Sequence, residues 1–102
     1  TIAGGSQGNS DGIGTEAKFG FPQGITSIDK DLYVADTMNN RICKLVQKGD
    51  SWTVSTIAGG FGGPLGITSS GADLYVADSM KNRICKLVQG NGSWTVSTIA
   101  GD

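Results

Sequence analysis

Short apolar runs separated by polar turn residues divide most of this chain. Gly24 to Ile28 precedes the turn Asp29-Lys30-Asp31, and Leu32 to Ala35 ends at Asp36. Thr37-Met38-Asn39-Asn40 then turns the chain into Arg41 to Gln47, and Lys48-Gly49-Asp50 leads into Trp52 to Ala58. Runs of this length, rich in β-branched and aromatic residues and bounded by Gly, Asn and Asp, predict strands joined by tight turns. The four runs predict an antiparallel meander. Leu-Tyr-Val-Ala and Ile-Cys-Lys-Leu-Val are apolar on both alternating faces, so a sheet built from them is expected to be covered on both sides.

The pattern occurs twice. Residues 19–60 and 61–102 align without a gap at an offset of 42, and 31 of the 42 columns are identical. The differences cluster where turns are expected, as at 28–30 and 48–50. In the second copy the last turn is Gly90-Asn91-Gly92, and Asn-Gly predicts a left-handed two-residue hairpin loop. A four-stranded unit of this size, covered on both faces by its neighbours, has the outline of a propeller blade. The chain therefore divides into a lead over 1–18, a first blade over 19–60 and a second over 61–102. The lead holds a third Thr-Ile-Ala-Gly, at Thr1, which reads as the tail of a further repeat. It also holds the connection Ser6 to Lys18, which has no counterpart between Gly60 and Phe61. Two copies this alike point to recent duplication or deliberate construction.

Composition narrows the function. Gly accounts for 17 of the 102 residues, more than twice its usual share of about 7%, which fits many turns and disfavours long helices. Lys and Arg number 8 against 9 Asp and Glu, with no run of one sign, so no field gathers nucleic acid or an anionic membrane surface. The chain has no His, hence neither the commonest general base nor the commonest ligand of zinc. No apolar stretch approaches the roughly 20 residues that span a bilayer, and no signal-like segment opens the chain, so a soluble protein of unassigned compartment is expected. Neither cofactor, metal nor small-molecule substrate is expected.

The run Phe-x-x-Pro-x-Gly-Ile followed by Asp-Leu-Tyr-Val-Ala-Asp-Thr/Ser-x-x-Asn-Arg-Ile, present in both copies, closely resembles the NHL repeat of β-propellers. Asp11-Gly12, Gly14-Thr15, Ala17 and Phe19 are similar to the connection that precedes many bacterial NHL blades. The resemblance implies an all-β propeller of four-stranded antiparallel blades, six of which typically close within one chain. It also implies that ligands such as a peptide, a glycan or RNA could be held on a ring face.

The densest polar cluster is Asp36 with Asn40 and Arg41, repeated as Asp78 with Asn82 and Arg83. A carboxylate at a strand end is expected to accept hydrogen bonds from the turn that Asn tightens, while Arg pairs with it or with the next blade. Its recurrence in both copies favours a structural role over a site for one asymmetric ligand. Asn9, Asp11 and Glu16 fit a calcium loop poorly, since Gln7 would open it and Lys18 would stand at its twelfth position, so a plain loop is expected. Cys43 and Cys85 occupy one repeat position and, without His, read as buried small hydrophobes. Trp52 and Trp94 are expected to cap blade contacts on the outer strand. Asn91-Gly92-Ser93 matches a glycosylation sequon but reads as the hairpin turn.

Two blades alone expose blade faces. Leaving several hundred Å² of apolar surface in water forgoes on the order of 10 kcal/mol at about 25 cal/mol per Å². The expectation is therefore a non-catalytic, self-assembling structural module, its ring completed by homo-oligomerisation, as a trimer of six blades or, second, a tetramer of eight. Strand exchange between subunits is expected at Thr1, Ile2 and Ala3 against Thr98, Ile99 and Ala100. A peptide-, glycan- or RNA-binding propeller is the alternative.

Overall fold

The computed structural model describes residues 1–101. Its strands are β1 (Gly12–Ile13), β2 (Pro22–Ile28), β3 (Asp31–Asp36), β4 (Arg41–Lys48), β5 (Ser51–Ala58), β6 (Pro64–Ser70), β7 (Asp73–Asp78), β8 (Arg83–Gln89) and β9 (Trp94–Gly101). Single 3-10 turns lie at Gly14–Glu16, Thr37–Asn39 and Ser79–Lys81, and there is no α-helix among the described residues. Strands β2 to β5 form one antiparallel meander and β6 to β9 a second, an all-β arrangement consistent with two propeller blades. No helix among the described residues is long and apolar enough to cross a membrane.

The two meanders share one register. Ile25 opposes Val34, Val34 opposes Cys43 and Leu45 opposes Val54, while Ile67, Val76, Cys85, Leu87 and Val96 repeat these pairings. Both copies also interrupt the ladder at the same places, after Pro22 and Pro64 and after Ile42 and Ile84. The irregularities recur with the pairing, the first even though Gln23 stands in one copy where Leu65 stands in the other.

Alternation along the strands splits the apolar residues into two layers. Tyr33, Ala35 and Ile42 point from the first sheet onto Phe61, Leu74, Val76, Cys85 and Leu87 of the second. Val34, Cys43, Leu45 and Val54 point the other way and are covered by Ala17 and Ala3 of the lead and by Phe19, which follows it. Each fully buried Val, Leu or Ile contributes about 1.5–3 kcal/mol, so the lead is part of the core.

That role was not anticipated. Residues 6–18, expected as a plain loop, carry strand β1, which pairs with β5 through Gly12 opposite Val54 and Ile13 opposite Thr53, making the first sheet five-stranded. Ala17 is wholly buried. Asn91-Gly92 is the tip of the hairpin as expected, but it does not take the expected left-handed conformation at both residues. Gln89 opposes Trp94, Gly90 N–H donates to the Ser93 carbonyl at 2.8 Å, and only Gly92 of the pair has a positive φ, whereas a type I′ turn needs both. In the first sheet Lys48 opposes Ser51 across Gly49-Asp50, with Gly49 at φ 62°.

Candidate functional site

Asp36 ends β3 and Arg41 begins β4, and the chain between them makes one 3-10 turn capped by Asn40 in the left-handed region, at φ 54° and ψ 40°. Asn tolerates this conformation better than most residues, which accounts for Asn40 and for Asn82 in the same conformation. Asp36 is completely buried and accepts hydrogen bonds from the Gly20 N–H at 2.7 Å, Asn39 Nδ2 at 2.8 Å and Arg41 Nε at 2.7 Å. Asp78 accepts from the Gly62 N–H and from Arg83 Nε, and Lys81 stands where the first copy has Asn39. Burial works against the Arg41 charge. The hydrogen bond to Asp36 and the nearby carboxylates more than offset it and hold Arg41 above the ordinary guanidinium range. The side chain that reaches the second sheet is not Arg41 but Asn40, whose Oδ1 accepts the Gly63 N–H at 2.9 Å.

Asp11, set aside in the sequence as part of a loop, completes the first cluster. Its Oδ1 lies 2.9 Å from Arg41 Nη1 and 2.8 Å from Thr56 Oγ1, and its Oδ2 accepts the Thr56 N–H at 2.9 Å. Arg41 Nη2 donates to the Lys18 carbonyl at 2.8 Å. The lead is thereby latched onto the outer edge of the first sheet by a charge-assisted network. The available signal was an asymmetry: Arg41 and Thr56 recur as Arg83 and Thr98, while Asp11 does not recur. Arg83 Nη1 has Thr98 Oγ1 at 3.2 Å, and the Arg83 side chain is 23% exposed against 8% for Arg41.

The contact between the sheets runs along β2 and β6. Gly24 allows it: a Cβ there would lie 2.5 Å from the Leu65 carbonyl oxygen, closer than any side chain tolerates. Thr37 Oγ1 donates to the Pro64 carbonyl at 2.7 Å, and Ser69 Oγ donates to the Ser27 carbonyl at 2.8 Å and lies 3.2 Å from Thr26 Oγ1. On the far side of the second sheet the equivalent face is open. Ile84 is 40% exposed where Ile42 is wholly buried, and Gly66, Ile67, Tyr75, Ala77 and Ile84 line a depression of about 310 Å³. On the first sheet's outer face, Ile2, Ala3, Phe19, Gly24, Ile25, Val34 and Leu45 line a cavity of about 280 Å³.

The remaining residues are built into structure. Burial pushes the Cys43 thiol up from 9.0 to about 12, so it is held as a thiol, and Cys85 is likewise buried. Trp94 meets Tyr33 edge to face across the sheets at 5.5 Å, and Trp52 packs on the layer beneath the lead. Thr98, Ile99 and Ala100 lie in β9, paired with β8, whereas Thr1, Ile2 and Ala3 lie in no strand. The domain limit drawn at 102 falls outside the described residues.

No family model matches the chain. It is similar to two proteins named NHL repeat-containing protein 2, from Bos taurus and Homo sapiens, at 41% identity over 59 residues, or 58% of this chain. The chain spans 8% of the length of these curated relatives.

Proposed function

We propose that these residues form a non-catalytic propeller module that assembles head to tail with copies of itself, three copies supplying six blades. One observation carries this reading: the open far face of the second sheet and the first sheet's outer face, which the lead covers, are the same two kinds of face that meet inside the chain. Tyr75, Ala77 and Ile84 repeat Tyr33, Ala35 and Ile42, while Leu32, Val34, Cys43 and Leu45 repeat Leu74, Val76, Cys85 and Leu87. The polar contacts have their counterparts too. Ser79 of one copy can donate to the Pro22 carbonyl of the next as Thr37 donates to Pro64, Thr68 can meet Ser27 as Thr26 meets Ser69, and Asn82 can accept the Phe21 N–H as Asn40 accepts Gly63. Phe21 already has the left-handed backbone of Gly63, at φ 49° against 57°. A heterologous contact of this kind closes a ring when its rotation allows.

The absence of catalysis belongs to the same reading. The chain has no His, the buried Asp36 and Asp78 are bonded to Arg, and the Cys43 thiol resists ionisation. The near-neutral charge gives no preference for nucleic acid or membrane.

Gly66 provides the test. A Cβ at Gly66 would meet nothing closer than the Ala77 Cβ at 3.7 Å, so Gly66→Ala leaves the chain folded. In the assembly Gly66 takes the place of Gly24 against a neighbouring backbone, and the same substitution blocks the contact. Native mass spectrometry should give a multiple of 10.5 kDa for the unaltered chain and 10.5 kDa for Gly66→Ala. A 10.5 kDa species for both at micromolar concentration would end the proposal.

A further inference from the structure

The latch that Asp11 closes on the first sheet stands open on the second. We infer that the outer edge of β9, with Arg83, Thr98 and Val96, binds an extended segment of a partner polypeptide carrying Asp-Gly followed by an apolar residue.

The chain supplies its own template. On the first sheet, Asp11 bridges Arg41 and Thr56 while Gly12 and Ile13 add a strand to the edge of β5 opposite Val54 and Thr53. The short link between the sheets brings no such segment to the second. There the same residue types recur in the same register: Arg83 and Thr98 for the carboxylate, and Val96 and Thr95 for the added strand. Among the described residues, β9 pairs with β8 alone, which leaves its outer row of N–H and C=O groups without a strand partner. Val96 is 37% exposed where Val54, beneath the lead, is 2% exposed. A sheet edge of this kind takes an added strand through main-chain bonds, and fixed side chains select its sequence. Here the guanidinium and the Thr98 hydroxyl and N–H select a carboxylate. Gly follows because Gly12, at φ 154° in the template, leaves a Cβ only 3.0 Å from the Glu16 Cβ.

The partner segment is assigned to another polypeptide because this chain's own Asp11 is already engaged; lending it to a second copy would empty one latch to fill another. The edge lies apart from the two sheet faces used in self-assembly, so this inference stands separately from it.

The test uses the free peptide Ser-Gln-Gly-Asn-Ser-Asp-Gly-Ile-Gly-Thr-Glu-Ala-Lys, residues 6–18, titrated into the full chain. Saturable binding is expected by calorimetry, with the Thr98 amide resonance moving and the Thr56 resonance fixed. Replacing the peptide's Asp by Asn should weaken binding about tenfold or more, the scale of one charge-assisted hydrogen-bonded contact. Arg83→Gln and, separately, Thr98→Val in the protein should do likewise with the circular dichroism unchanged, while Gly66→Ala should bind as the unaltered chain does. No saturable binding at millimolar peptide, equal binding of the Asn peptide, loss of binding in Gly66→Ala, or movement of Thr56 in place of Thr98 would each overturn the inference. Dissociation of an assembled protein by Arg83→Gln alone would assign the edge to a second copy and overturn the partner named here.

Discussion

Asp36 and Asp78 occupy one repeat position and are nearly equally buried, but their partners differ. Asp36 neutralises an Arg41 that is itself buried and held by Asp11, Thr56 and the Lys18 carbonyl. Asp36→Ala leaves the buried Arg41 Nε and the Gly20 N–H unpaired, a loss of about 3 kcal/mol. Urea denaturation should show a smaller loss for Asp78→Ala, because water reaches Arg83. A second residue-scale outcome follows from Cys43. Its thiol ionises near 9.0 when unfolded and near 12 when folded, so its contribution to stability is complete below about pH 9 and is lost as the pH rises toward 12. The slope of that loss is about 1.4 kcal/mol per pH unit. Comparing urea midpoints of the unaltered chain and Cys43→Ala between pH 8 and 11 isolates it from the Tyr and Lys titrations, and the two curves should converge as the pH rises.

Among the elements, β2 and β6 decide how closely the two sheets sit. Gly24→Ala puts a methyl group against the Leu65 carbonyl and Ile67, which forces backbone to move. A loss of about 2 kcal/mol or more in unfolding free energy is expected, with weakened Trp94–Tyr33 contact visible as a change in Trp fluorescence. Strand β1 makes the opposite lesson. Two residues long, opening on Gly12 and followed by Gly14, with no apolar alternation of its own, it forms because Asp11 anchors it and Ala17 packs on Val54. Local propensity says nothing of such a strand, since its bonds are all made to residues far along the chain.

For the molecule as a whole, the lead matters most. Ala3 packs on the first sheet's outer face as Ala58 packs on the layer between the sheets, so the N-terminal Thr-Ile-Ala holds ground that Thr98 to Ala100 of a neighbouring copy would need. Because β9 pairs with β8 as far as Gly101 and Thr1 to Ala3 pair with nothing strand-like, the lead is the segment to give way. Deleting residues 1–5 should therefore tighten head-to-tail association, measured as a lower concentration for half-assembly by sedimentation. Weaker association after deletion would show instead that Thr1 to Ala3 lends a strand to its neighbour.

Strands, their order within each meander and the pairing of Asp36 with Arg41 were legible in the sequence, because each depends on alternation, turn residues and neighbours a few positions apart. The repeat made them doubly legible. What the tertiary structure decided was everything that differs between two nearly identical copies. Asn40 rather than Arg41 crosses to the second sheet, since the left-handed turn aims its amide at Gly63. Asp11 closes a latch 30 residues away on Arg41 and leaves the equivalent Arg83 half open. Val54 is sealed and Val96 is not. Such differences arise from which surfaces a folded neighbour happens to cover, and the repeated residues themselves are the same in both places.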